Sequence, residues 1–253
     1  MLLFQCDSFC SEKFPARLIF VLLLLFAGCS VEPELKDTKT IPKNGIRISR
    51  YPQNTMCFKM TTADGIIVIT DPYKMNERVN PDIVTISHEH HDHSNLSMLD
   101  GNYPLINKTG VFRYDGLLVV GVGGVHDKRH SYESMRLYTF DFGAIRIAHI
   151  AEQARIPTNE MYRSLGKVDV VILHFIDAKD PGNLSADEAA LIVTELGAKI
   201  IITAHGDHKQ DGILANKLDA RYDICNTTSF VISPEILSSI KRRRVVRLFT
   251  DRL

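Results

Sequence analysis

The hydrophobic and polar positions from residue 45 onward follow the pattern of short β-strands. The first three segments, IRISRY, MCFKM and GIIVIT, are short and of β type, and polar or glycine-containing turns such as TTADG separate them. This spacing predicts an antiparallel meander. DIVTIS is rich in β-branched residues and predicts a buried strand. GLLVVGVGGV, MRLYTFDF and AIRIAHI are strand-like, the last two joined by a tight turn at Gly143.

The pattern changes after Ile150, where helix-like and strand-like segments alternate. TNEMYRSLG and SADEAALIVTELG have helical spacing, whereas VDVVILHF and AKIIITAH are apolar runs that predict buried strands. Ser185 and Glu188 form a capping box at the start of the second helix, and Gly197 ends it. A β-rich first half and a βαβ second half predict an α/β fold with helices layered on mixed sheets.

The N-terminus has a different pattern. Lys13 and Arg17 precede an uninterrupted apolar run over residues 18–28, which is typical of a secretory signal. The small residues before Cys29 resemble the end of a bacterial lipoprotein signal, in which Cys29 would become the lipidated first residue. Phe26 departs from that pattern, which usually has an aliphatic residue there. A buried core helix is the alternative interpretation.

The stretch after the apolar run is polar and contains proline, which predicts a tether. We therefore expect a signal peptide of the lipoprotein type over 1–29, a polar tether over 30–44 and a folded domain over 45–253. This organisation predicts export to the bacterial cell envelope and attachment to the membrane through the signal or a lipid on Cys29. Without attachment the protein would be periplasmic or secreted.

Composition excludes some partners. The chain has 30 basic and 30 acidic residues, so its charge balance does not favour nucleic acid, and the basic run at 241–244 is interpreted as a solvated helix end or turn. Cys57 and Cys225 are the two cysteines of the folded domain, too few for a disulfide framework. Whether they pair is left open by the sequence.

The segment SHEHHDHSN carries the strongest chemical signal. His88 and His90 are two positions apart, so in an extended chain their side chains point the same way and can bind one ion. Asp92 and His93 follow at a turn and are free to face a second ion. Zinc binds imidazole and carboxylate readily, and the carboxylate also suits manganese or iron. Four histidines within six positions, in a chain with ten, favour a metal site over a solvated polar loop.

The spacing H-x-H-x-D-H after a buried strand resembles the hallmark of the metallo-β-lactamase superfamily. Within it the chain is most similar to the ascorbate-phosphate lactonase-like branch, over residues 45–248. The resemblance implies an αβ/βα four-layer sandwich with two mixed sheets and helices on the outer faces. It implies that residues 45–253 form a metallo-hydrolase domain with two divalent metal ions. Zinc is the expected metal, and manganese or iron are alternatives.

The resemblance also assigns roles to residues outside the histidine loop. ITDPY would place Asp71 behind a ligand, which it steadies. HIAE resembles H-x-G-D of the family, which makes His149 the third ligand of the first metal and Glu152 the bridging carboxylate. ITAH gives His205 to the second metal. GVGGVHD centres on His126, which has either an active-site role, as substrate contact or proton donor, or that of a buried hydrogen-bonded imidazole.

Two residues depart from the family pattern: Glu152 replaces an Asp, and Ala151 replaces a Gly.

Two ions that share a water lower its pKa toward neutrality, which produces a hydroxide at physiological pH. The predicted function is hydrolysis of an ester, lactone or phosphodiester bond by this hydroxide, with Asp92 orienting it. The expected substrate is a small molecule or a lipid. A phosphodiesterase is the narrower alternative, and an exported metal-binding or sensing protein without turnover is the other, which the two departures favour.

Overall fold

A computed structural model describes residues 32–51, 55–129, 134–176 and 182–249. The predicted signal peptide and Cys29 lie outside these residues. Among the residues so described, none of the helices has the length and hydrophobicity of a membrane span.

The folded unit contains fourteen strands and four helices among the described residues. The strands are β1 (Ile46–Arg50), β2 (Phe58–Thr62), β3 (Ile67–Thr70), β4 (Ile83–Thr85), β5 (Leu105–Ile106), β6 (Gly110–Tyr114), β7 (Leu117–Gly124), β8 (Met135–Asp141), β9 (Arg146–Ala151), β10 (Val170–His174), β11 (Ile200–Ala204), β12 (Arg221–Cys225), β13 (Ser229–Ile232) and β14 (Arg244–Leu248). The helices are α1 (Asn159–Leu165), α2 (Ala186–Leu196), α3 (His208–Lys217) and α4 (Pro234–Ser239).

The strands form two mixed sheets. The six-stranded sheet has the order β13-β1-β2-β3-β4-β5, and the predicted meander β1-β2-β3 is antiparallel within it. Strands β4 and β5 then add in parallel. The eight-stranded sheet has the order β12-β14-β11-β10-β9-β8-β7-β6, antiparallel from β6 to β9 and parallel from β9 to β12.

Apolar side chains from both sheets form one core. Strand β1 alternates buried and half-buried residues, as expected where one face of a strand packs inward, whereas β10 and β11 are buried at every position. Tyr138 of β8 joins the sheets, because its hydroxyl lies 3.0 Å from the carbonyl oxygens of both Ile86 and Ile106 and donates a hydrogen bond there. The two sheets are therefore held together by a common apolar core and by the hydrogen bond of Tyr138.

Three helices, α1, α2 and α3, pack on the eight-stranded sheet, where they contact strands β7, β10, β12 and β14. Ser185 caps α2 in the predicted capping box with Glu188, and Gly197 ends the helix in the left-handed conformation at φ +76°. The other sheet is covered differently. Ile69 and Val84 pack there against Met75, Val79 and Leu99, and the described segment 72–104 that carries these residues contains no helix. Loops of this segment therefore cover that part of the six-stranded sheet, and the two mixed sheets agree with the predicted sandwich.

The segment predicted to be a tether is packed against the domain from residue 32 onward. Leu35 is buried, and the Lys36 carbonyl oxygen accepts a hydrogen bond from the Val231 N–H at 2.9 Å. The Glu32 carboxylate accepts from the N–H groups of Lys241 and Arg242 at 3.1 Å each. Hydrophilic composition predicted a free chain, but its polar groups bind backbone and side-chain partners on the domain instead.

Candidate metal centre

The acidic and histidine side chains of the predicted site lie at one edge of the sandwich, where strands of both sheets end. Strand β3 leads into Asp71 and β4 into the histidine loop 88–93, both from the six-stranded sheet. Strands β7, β9 and β11 lead into His126, Glu152 and His205 from the eight-stranded sheet. Strand ends meet in space although they lie far apart in the sequence, which is why loops at such edges carry function.

Asp71 organises the base of this site. Its side chain is fully buried and accepts hydrogen bonds from the Ser87 N–H at 2.7 Å, the Ser87 hydroxyl at 2.6 Å and His93 Nδ1 at 2.7 Å. Burial acts to raise the pKa of this carboxyl, but the neighbouring His93 and His149 together with these hydrogen bonds hold it below its ordinary value. Asp71 is therefore an anion that fixes the His93 ring.

His93 points its other ring nitrogen into the site. Burial would lower the pKa of His93, but the Asp71 carboxylate, with help from Glu152, raises it to about 10. Its Nε2 atom lies 3.6 Å from Glu152 Oε2 and 3.9 Å from Asp92 Oδ2. This atom is buried and has no hydrogen-bond partner.

Three imidazoles form the first group of donor atoms. One nitrogen each from His88, His90 and His126 lies within 4.8 Å of the others. The ring centroids of His88 and His90 are 4.4 Å apart, and that of His126 is 4.6 Å from both. Burial, followed by the proximity of His93, lowers the pKa of His88 to about 3, which keeps this imidazole neutral and able to bind a cation.

Glu152 lies beside this group and belongs to a second one. Its Oε2 atom is 3.1 Å from His126 Nε2, 3.6 Å from His93 Nε2 and 3.8 Å from His88 Nε2, and Oε1 is 3.5 Å from His205 Nε2. Burial acts to raise the pKa of Glu152, but the hydrogen bond from His126 and the proximity of His93 hold it far below the ordinary range. One nitrogen or oxygen each from His88, His93 and Glu152 forms the second group within 4.8 Å.

His205 closes the site from the end of β11. It adopts φ +59°, a left-handed conformation that is uncommon for a non-glycine residue. Its ring lies 6.3 Å from that of His93, and burial lowers its pKa to about 4. The Asp207 side chain, two residues further, faces elsewhere, because it caps α3 by accepting from the Gln210 N–H at 2.9 Å.

Ala151 occupies the position at which the family has glycine. It is in the left-handed region at φ +46°, and the Gln153 N–H closes the turn by donating to the Ile150 carbonyl oxygen at 3.2 Å. Glycine adopts this conformation freely, whereas alanine does so at a steric cost. The turn that presents Glu152 therefore keeps the backbone shape expected of a glycine.

The structure differs from the sequence-based assignment for His126 and His149. It places His126, rather than His149, beside His88 and His90. His149 lies inside β9 and is fully buried, where its Nδ1 is 2.9 Å from the Thr70 hydroxyl and its Nε2 is 3.9 Å from Asp71 Oδ2. His126 lies beyond the end of β7 and is therefore free to turn toward the loop.

His174 is a neighbour of the site that the motif search did not single out. It is buried at the end of β10, and its Nδ1 lies 3.0 Å from the Ala204 carbonyl oxygen, to which it donates. Its ring stands edge-on to that of His205 with centroids 5.3 Å apart. A histidine at the end of a buried strand, the pattern that identified His205, was the available signal.

The donor atoms fit divalent cations. The Nε2 atoms of His93 and His205 are buried without hydrogen-bond partners, which is costly unless another group binds them. Both lie beside the anionic Glu152, and the His93 ring is oriented by a carboxylate, as in zinc sites where a carboxylate fixes the ligand tautomer. Imidazoles with one or two carboxylates are the usual zinc ligand set.

Structural comparison places the fold among known proteins. A protein from Thermotoga maritima assigned to the zinc-dependent hydrolases of the metallo-β-lactamase superfamily aligns over 80% of this chain and 98% of its own, with a TM-score of 0.65 and 21% identity. A protein from Parabacteroides distasonis assigned to the metal-dependent hydrolases aligns over 73% and 93%, with a TM-score of 0.57 and 19% identity.

A third similar structure is CmlA from Streptomyces venezuelae, a diiron β-hydroxylase, which aligns over 83% of this chain and 54% of its own, with a TM-score of 0.55 and 11% identity. At such identities the likeness concerns the fold alone. No curated protein sequence matches the chain.

A sequence-family comparison identifies the chain itself. The model of the beta-lactamase superfamily domain matches residues 53–205, which include the donor residues from the histidine loop to His205. The match covers more than half of the chain, and the two mixed sheets agree with it. The chain therefore belongs to the beta-lactamase superfamily domain family and has the fold of the metallo-β-lactamase superfamily.

Proposed function

We propose that this protein is a metal-dependent hydrolase that uses two divalent cations to cleave an ester, lactone or phosphodiester bond. The observation that carries the proposal is the position of Glu152, whose Oε2 lies 3.1–3.8 Å from imidazole nitrogens of His126, His93 and His88. Its Oε1 lies 3.5 Å from His205 Nε2. A carboxylate in this position is suited to bridge two cations.

The donor groups suggest how the cations would be held. His88, His90 and His126 would bind one cation, a role for His126 that replaces the one first predicted for His149. Asp92, His93 and His205 would bind the other, with Glu152 shared. Zinc suits this set of nitrogen and carboxylate ligands, and manganese or iron are alternatives.

When bound, the cations would polarise the scissile carbonyl or phosphoryl group and lower the pKa of water at the site. The protein residues would do the rest. Asp71 orients the His93 ring so that Nε2 faces the site. Asp92, whose side chain is 46% exposed, can accept a hydrogen bond from the attacking water and orient it. His126 is also partly exposed, which leaves it able to contact a substrate.

The test combines metal analysis with a substrate panel. Purified protein loaded with zinc, manganese or iron is assayed against a chromogenic ester, a lactone and a bis-phosphodiester, and compared with a variant that carries both His88→Ala and His90→Ala. We expect two cations per chain and turnover of one substrate class, both lost in the double variant. Turnover that survives complete removal of metal would refute the proposal.

A second candidate is a metal-binding or sensing protein without turnover. Glu152 in place of the family's aspartate favours it, because the extra methylene changes how the carboxylate reaches two cations. Two bound cations with no hydrolysis of any panel member would support this candidate. A Glu152→Asp variant that gains hydrolysis would identify the longer side chain as the cause.

We also propose that the protein is exported and attached to the membrane through a lipid on Cys29, acting on a small-molecule or lipid-type substrate. The apolar run with its preceding basic residues supports this location. Labelling with a fatty acid in the native host should mark the wild type and leave Cys29→Ala unlabelled. Equal labelling of both would contradict lipidation at this residue.

A further inference from the structure

We propose that Gln153 is a positioning residue that sets the distance between Glu152 and His126, and with it the spacing of the two donor groups. The inference rests on the proposed function, because it concerns the same two-cation site. It is drawn from a buried amide whose contacts connect two loops of that site.

Both the oxygen and the nitrogen of the Gln153 side-chain amide form hydrogen bonds. The side chain is completely buried, its Oε1 accepts from the Val125 N–H at 2.7 Å, and its Nε2 donates to the Arg155 carbonyl oxygen at 2.5 Å. The next residue adds a backbone contact, since the Ala154 N–H donates to the Val125 carbonyl oxygen at 2.6 Å. Residues 153 and 154 thus bind both backbone groups of Val125.

These contacts connect strands that the sheet keeps apart. Strands β7 and β9 lie on opposite sides of β8, so no ladder hydrogen bonds join them. Val125 immediately precedes His126, and Gln153 immediately follows Glu152. The bond between Val125 and Gln153 therefore fixes the two backbones from which the His126 and Glu152 side chains meet at 3.1 Å.

Gly124 provides the space for this amide. A Cβ atom at position 124 would lie 2.9 Å from Gln153 Oε1 and 2.8 Å from Met135 Cγ, closer than carbon atoms normally approach such neighbours. Any larger residue would push the amide away from the Val125 N–H. Gly124 and Gln153 are thus matched to each other.

The position of the amide has a consequence for Glu152. Glutamate has one more rotatable bond than aspartate, so its carboxylate can occupy more positions unless the backbone on both sides is held. The turn at Ala151 holds one side, and Gln153 holds the other. Fixing both ends reduces the entropy lost when the carboxylate takes one position between two cations.

The experiment compares the wild type with Gln153→Leu, which keeps the size of the side chain and removes both hydrogen bonds. Thr62→Val is the matched control, because Thr62 Oγ1 accepts from a backbone N–H, that of Ile66, at the opposite edge of the sandwich. In the metal-free proteins, hydrogen exchange at the Val125 amide should be at least about tenfold faster in Gln153→Leu and unchanged in Thr62→Val.

The same variants are then titrated with Co²⁺ and followed by visible absorption. We expect the affinity for one of the two ions to fall by about 10–100-fold in Gln153→Leu, with a changed spectrum, whereas Thr62→Val should behave as the wild type. Gly124→Ala perturbs the same amide from the other side and should reproduce the spectral change, so a poorly folded Gln153→Leu does not remove the test.

The outcomes separate this inference from the proposed function. A wild type that binds no Co²⁺ would refute the two-cation site itself. A wild type that binds two ions, with Gln153→Leu and Gly124→Ala binding both at unchanged affinity and spectrum, would overturn the positioning role and leave the proposed function intact.

Discussion

The carboxylate of Asp71 and the ring of His93 form a completely buried hydrogen bond of 2.7 Å between the end of β3 and the histidine loop. This hydrogen bond occupies His93 Nδ1, so the other ring nitrogen, Nε2, faces Glu152. Removing an anion that orients a ligand in this way usually weakens a metal site without removing a ligand.

Replacing Asp71 by Asn tests this relationship. We expect Asp71→Asn to lower cation affinity by about 10–100-fold, because the amide no longer offers two anionic oxygens to His93 and Ser87. Competition titration with a chelating dye measures the affinity. Asp64→Asn, at the exposed β2–β3 turn, serves as the control. Equal affinities in the two variants would show that Asp71 does not act on the site.

His126 and His149 should respond differently to substitution. His126→Ala should lose one cation per chain, because its ring belongs to the first donor group. His149→Leu should keep both cations but unfold more easily by about 1–3 kcal/mol, since the buried Thr70 hydroxyl loses its partner. Metal content after dialysis and thermal unfolding measure the two effects. Loss of a cation in His149→Leu alone would restore the assignment first made from the sequence.

Glu188 predicts a pH-dependent contribution to stability. Burial acts to raise its pKa, but the Ser185 N–H and Lys128 lower it from its ordinary value of 4.5. A pKa that is lower in the folded state stabilises the protein above the unfolded pKa, and this contribution is lost as the pH falls through the folded value. Glu188→Gln should therefore cost about 1 kcal/mol at neutral pH and less near pH 3.

Urea unfolding at the two pH values measures this difference. Glu195→Gln, in the exposed last turn of the same helix, is the control and should show no comparable loss at neutral pH. A Glu188→Gln penalty that stays constant between the two pH values would contradict the predicted role of the carboxylate charge.

The buried pair of Asp211 and Arg247 should be sensitive to the loss of one partner. Asp211 is fully buried and accepts hydrogen bonds from Arg247 Nε and from the Tyr222 hydroxyl, the latter at 3.1 Å. Asp211→Ala leaves a buried guanidinium without its anion and should cost about 3–5 kcal/mol in denaturant unfolding.

A double variant separates the charge from the packing. Asp211→Leu combined with Arg247→Met should recover much of the lost stability, since neither charge then remains buried. Asp100→Ala breaks the exposed pair with Arg78 and should have little effect. A loss in Asp211→Ala no larger than that in Asp100→Ala would contradict the prediction.

Much of the fold could be predicted because most strands are local features of the sequence. The meander β1-β2-β3 and the run from β7 to β11 each consist of apolar segments with clear turns or helix caps between them. The pairing of β13 with β1 could not be predicted. Ile46 and Ile232 are paired although almost the whole sequence of the domain separates them, and the pattern of neither segment indicates which strand it pairs with. Periodicity reports burial, not register.

The candidate site shows a similar division. The sequence indicated the histidine loop by its spacing, and it indicated Asp71, Glu152 and His205 by their resemblance to family motifs at the ends of strands. The choice between His126 and His149 could not, because it depends on where each strand ends. His149 remains inside β9 with its side chain in the interior, whereas His126 has left β7 and can turn. A motif match in sequence order does not contain that information.

The donor residues are divided between the two sheets, and this division links cation binding to the cohesion of the domain. Asp71 and the histidine loop extend from one sheet, and His126, Glu152 and His205 extend from the other. Bound cations would act as a cross-link that holds the sheets together, adding about 2.7 kcal/mol at a free concentration one hundred times the Kd. A chelator should then lower the melting temperature of the whole domain, so the site would stabilise the fold in addition to any catalytic role.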